Sequence, residues 1–167
     1  PLLQPPPSQH RTRIEMANQR QVIVFSILAA LMFQSAAFAS DKKKLTVFKT
    51  PWCGCCKEWS NAMEAAGYQV SVEDMEDLEV VKRQAGVPGT LKACHTAVLG
   101  KYVLEGHLPL QAIEKLVKEQ PSIRGIAVAG MPSGSLGMSY DPNAKYNVMA
   151  FTYSKSDKPT VFYRAGQ

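Results

Sequence analysis

Between residues 45 and 120 the apolar positions alternate between two periods. "LTVFK", 45–49, has the period-two, β-branched and aromatic pattern of a strand. After a turn, "TPWCG", the stretch "CCKEWSNAMEAAG", 55–67, sets Trp59, Ala62, Met63 and Ala66 at helical spacing and stops at Gly67. "YQVSVED", 68–74, predicts a second strand, and "DLEVVKRQAG", 77–86, a second helix ended by Gly86. "HTAVLG" and "KYVLEG", 95–106, predict two strands with a tight turn at Gly100-Lys101. "PLQAIEKLVKEQ", 109–120, predicts a third helix with Pro109 in its first turn and Leu110, Ile113, Leu116 and Val117 on one face. Past residue 120 the periodicity breaks. "IRGIAVAGMPSGSLGMSYDPNAKYN" is rich in Gly, Pro and Ser and reads as mostly loop, of a length usually kept for function. "VMAFTY" and "TVFYR" suit a closing hairpin. The order β-α-β, then α-β-β-α, with a C-x-x-C opening the first helix, predicts an α/β, thioredoxin-like fold. Its central mixed sheet is flanked by helices and followed by the Gly/Pro-rich loop and β-hairpin.

The first 39 of the 167 residues break this pattern. "PLLQPPPSQHRTRIE" has no hydrophobic period, which makes Met16 the expected start. "MANQR" is a basic n-region, "VIVFSILAALMF" an apolar run, and "AFA", 37–39, an A-x-A cleavage site before Ser40. Together they predict a cleavable secretory signal peptide, with residues 40–167 as the exported, mature domain. The apolar run is short for a membrane span, so the mature protein is not expected to be membrane-embedded. Removing Arg11, Arg13, Arg20 and Glu15 from the 19 basic and 14 acidic residues leaves a mildly basic chain. That charge, and the single basic run "DKKK", give no case for a nucleic-acid partner.

All four cysteines, Cys53, Cys55, Cys56 and Cys94, fall in the mature part. Export permits a disulfide, but three crowded cysteines and one distant one make a poor stapling framework. Cys53 and Cys56 are three apart at a helix N-terminus, where free N–H groups and the positive dipole end favour thiolates. Thiolates attack disulfides and also bind metals, so both readings rest on the same physics; plain apolar packing is the bland alternative. Cys55 separates the readings. A redox pair needs two sulfurs and a third invites wrong mixed disulfides, whereas a soft-metal site gains from each added sulfur. In a thioredoxin-like fold "CHT", 94–96, opens the third strand facing the C-x-x-C loop, which brings Cys94 and His95 to the other cysteines. His95 alone would read as a core histidine. Met131 and Met138, in "GMPSGSLGM", are two thioethers in a loop with little core to fill, a pattern suited to Cu(I). His107 reads as a surface residue or a donor behind the site. Zinc fits less well, because thioethers are poor zinc ligands.

"TPWCGCCKEW", "CHTAVLGKYVLEGHLP" and "GMPSGSLGM" together resemble the CopG family of small exported copper-resistance proteins, which is distinct from the DNA-binding repressor of that name. The resemblance spans about residues 45 to 164. It implies a thioredoxin-like fold, a periplasmic address and a sulfur-rich, multinuclear Cu(I) site serving copper tolerance by sequestration, relay or Cu(I)/Cu(II) interconversion. Carried over, it implies Cys53, Cys56 and Cys94 as ligands, then Met131 and His95, then Cys55 and Met138. It leaves open whether the protein turns over as an enzyme. A thiol–disulfide oxidoreductase using Cys53 and Cys56 is one alternative. A copper chaperone that docks on another periplasmic or membrane copper-handling protein is a second.

Overall fold

The computed structural model describes residues 43–154 and 156–167; the predicted signal peptide lies outside them. Seven strands form one mixed sheet in the order β2-β1-β3-β4-β5-β6-β7. They are β1 Lys44–Lys49, β2 Gln69–Asp74, β3 Thr96–Leu99, β4 Tyr102–Glu105, β5 Gly125–Ala127, β6 Tyr146–Phe151 and β7 Thr160–Ala165. Among the described residues three α-helices, α1 Gly54–Ala65, α2 Glu79–Ala85 and α3 Leu110–Glu119, and a short 3-10 turn at Gly89–Leu91 accompany the sheet. Strand β1 runs parallel to β2 and β4 to β5, and every other neighbouring pair is antiparallel. Among the described residues no helix is long and apolar enough to cross a membrane.

Alternation explains how the sheet is covered. Leu45 and Val47 point from β1 into the main core while Thr46 and Phe48 are half-buried on the other side. Trp59 and Met63 of α1 and Ala112, Ile113 and Leu116 of α3 pack on this face with Ala97, Leu104 and Ile126. On the opposite face, Ala85 of α2, Val87 and Leu91 meet Val103, Ala127 and Phe151. Adjacent residues such as Val103 and Leu104 thus serve different cores, which is why β4 reads as an unbroken apolar run rather than an alternating one.

The structure corrects one sequence expectation. Gly125–Ala127, read as loop, is an interior strand buried along its whole length. Gly125 is needed there because a Cβ would stand 2.1 Å from the Val103 carbonyl oxygen. It joins the β6–β7 pair to the rest of the sheet.

Candidate metal centre

Four connections converge at one end of the sheet. The β1–α1 turn carries Cys53, and the first turn of α1 carries Cys55 and Cys56. β3 runs antiparallel to β1, with Phe48 opposite Thr96, so Cys94-His95 arrives at the same end. His107 follows β4. The segment after β5 passes back through an isolated parallel bridge between Ala93 and Gly130.

The four cysteine sulfurs lie within 4.8 Å of one another, and a second set, Cys56, Cys94, His95 and His107, meets the same limit. Cys56 and Cys94 belong to both. Cys53 caps α1, its sulfur accepting the Cys56 N–H at 3.3 Å. Cys53 and Cys56 are joined as a disulfide, with Cys55 Sγ 3.6 Å from Cys53 Sγ. Cys55 and Cys94 are free thiols.

His107 is the residue the sequence reading undervalued. It is fully buried rather than on the surface, with Nε2 3.0 Å from Cys94 Sγ. Its Nδ1 is 2.7 Å from the Leu136 carbonyl oxygen. A carbonyl only accepts, so Nδ1 carries the proton and Nε2 presents its lone pair to the sulfurs. The sequence signal was the absence of polar residues from Leu108 to Leu110, which buries the approach to α3. His95 is also fully buried, its Nδ1 3.5 Å from Cys94 Sγ, while its Nε2 has no hydrogen-bond partner. An orphaned buried imidazole nitrogen is costly unless something binds it.

Burial sets the protonation states. It pushes the Cys94 thiol up to about 12, helped by neighbouring Cys55. It holds His95 well below the usual histidine range, with His107 and Lys82 adding repulsion. Burial lowers His107 as well, against the bond to Leu136. Both imidazoles are therefore neutral, the state in which they bind metals.

The methionine loop folds over this centre. Gly137 packs on α1 so tightly that a Cβ would stand 2.7 Å from both the Cys55 carbonyl oxygen and the Trp59 nitrogen. The Ala93–Gly130 bridge anchors the start of the loop beside the residue before Cys94, while Met131 is 56% exposed. Met138 is partly buried, one residue beyond the Gly137 contact.

A family model described as a protein of unknown function, DUF411, matches residues 91–138, the stretch carrying Cys94, His95, His107 and both loop methionines. Among solved structures, the chain is similar to the copper resistance protein CopG in form 1, at 36% identity and a TM-score of 0.67, covering 74% of this chain and 98% of that one. Form 2 gives 37% identity and a TM-score of 0.66, covering 72% and 96%. No curated protein matches.

Proposed function

This chain belongs to the copper resistance protein CopG family, and from that premise we propose that it holds Cu(I) in a multinuclear Cys/His/Met centre that contributes to copper resistance. The observation that carries the reading is the sharing of Cys56 and Cys94 between the two donor groups. A thiolate has lone pairs for more than one metal, so two shared sulfurs suit adjacent metal positions bridged by thiolate. Soft sulfur donors with neutral imidazoles favour Cu(I), and the unpartnered His95 Nε2 is a donor awaiting an acceptor. Cys53, Cys55, Cys56, Cys94, His95 and His107 form the inner donor set of this proposal. Met131 joins it if its exposed side chain turns toward Cys94, with Met138 behind it. Cys53 and Cys56 serve as ligands only after their disulfide is reduced. We read the β2-β1-β3-β4 part of the sheet, with the cysteine turn opening α1, as thioredoxin-like. The A-x-A site supports export with a working protein beginning at Ser40, and the family likeness supports a periplasmic address for it.

X-ray absorption on reduced, copper-loaded protein tests the proposal. A shell dominated by sulfur together with a short copper–copper vector is the expected result; a purely nitrogen/oxygen shell would refute it.

The Cys53–Cys56 disulfide favours a second reading, a thiol–disulfide oxidoreductase. Cys55→Ser separates the two. A copper site loses capacity or affinity, whereas a two-sulfur redox pair keeps its insulin-reducing activity and notices little.

A further inference from the structure

Behind the cysteines lies an ion pair that the copper reading leaves unused. Lys82 Nζ, from α2, is 2.6 Å from Glu105 Oε1 at the end of β4, with side chains only 5% and 0% exposed. Such a pair is a poor source of stability, because desolvation offsets much of its attraction and apolar replacements are often neutral or better.

The remaining bonds of Glu105 show what it holds. Its Oε1 accepts the Ala93 N–H at 2.7 Å, and its Oε2 accepts the Thr96 hydroxyl at 2.6 Å. The Thr96 oxygen in turn accepts from Lys82 Nζ at 3.0 Å. One carboxylate therefore grips the backbone just before Cys94 and the side chain just after His95. Glu105 faces Thr96 in the β3–β4 register and stands two residues before His107. Ala93 is also the residue bridged to Gly130, where the methionine loop begins. Every polar atom in this network is engaged, as a buried network requires if it is to impose one geometry.

From this arrangement we infer that Glu105, neutralised by Lys82, is a positioning residue for the metal centre, clamping the Cys94-His95 dipeptide against His107. The inference rests on the copper reading. Groups that orient metal ligands from behind commonly change metal affinity by about 10–100-fold when removed.

The test uses the reduced mature protein and the combined variant Lys82→Met/Thr96→Val/Glu105→Met, which removes both charges and the hydroxyl left without partners. Hydrogen exchange across residues 92–96 should quicken at least about ten-fold while the β6–β7 pair exchanges as in the parent. Cu(I) affinity, by competition with a Cu(I) chelator, should fall about 10–100-fold with fewer sulfur and nitrogen neighbours in the X-ray absorption shell. A folded variant with parental exchange at 92–96 and parental Cu(I) affinity overturns the inference. So does exchange that quickens equally in β6–β7, which would assign the pair to the fold alone. If the combined variant does not fold, Thr96→Val removes one arm of the clamp: a smaller change in the same direction supports it, and none overturns it. A parent that fails to bind Cu(I) counts against the copper reading, while the exchange measurement still decides the clamp.

Discussion

At Gly137 the backbone takes φ +84° and runs against the first turn of α1, so two penalties coincide for any side chain there. The left-handed conformation costs a non-glycine residue about 1–2 kcal/mol, and the overlap with Cys55 and Trp59 about 1–3 kcal/mol more. Gly137→Ala should therefore lower stability in chemical denaturation by about 2 kcal/mol or more. It should also push the loop off α1, breaking the Leu136 bond that orients His107. His95 sets a second expectation. Its folded pKa lies below the ordinary 6.5, so below that pH the unfolded chain binds the proton first. The metal-free protein should thus lose stability as pH falls from 6.5 toward the folded value. A His95→Gln variant should show a flatter acid limb in melts recorded from neutral pH downward.

The loop of residues 130–138 tests the copper proposal at the scale of an element. Thioether sulfur binds Cu(I) without losing a proton and is a poor ligand for Zn²⁺. Met131→Ala is expected to weaken Cu(I) in chelator competition and leave Zn²⁺ nearly unchanged, with Met138→Ala showing the same trend more weakly. Unaltered Cu(I) affinity in Met131→Ala would leave the centre to cysteine and histidine. That this loop lies over the cysteines was not readable beforehand, since a close glycine contact, an isolated bridge and the Leu136 carbonyl bond to His107 tie it there, and none of these has a period. The elements up to α3 were readable to within a residue or two because each carries its own period and stop: α2 ends where Gly86 turns left-handed at φ 76°. β5 was hidden by its brevity and by the glycine at its start. At the site, the cysteines announced themselves by crowding. His107 did not, because its role depends on a carbonyl 29 residues away.

For the whole molecule, the disulfide makes metal capacity a function of redox state. With Cys53–Cys56 closed, two of the four sulfurs cannot act as thiolates. Protein oxidised with a mild disulfide reagent should take up fewer copper ions per chain than the reduced form, and a non-thiol reductant should restore the difference. Equal uptake in both states would place the metal away from these cysteines. The packing of the core also gives the molecule an optical readout. Of its two tryptophans, Trp52 stands 70% exposed beside the cysteine turn. Trp59 is fully buried, its ring centroid 4.5 Å from that of His95. A metal ion bound to His95 would sit within quenching range of an indole shielded from water. In a Trp52→Phe protein, filling of the centre should therefore be visible as dimming of a single blue-shifted emission band, followed in real time without adding any dye.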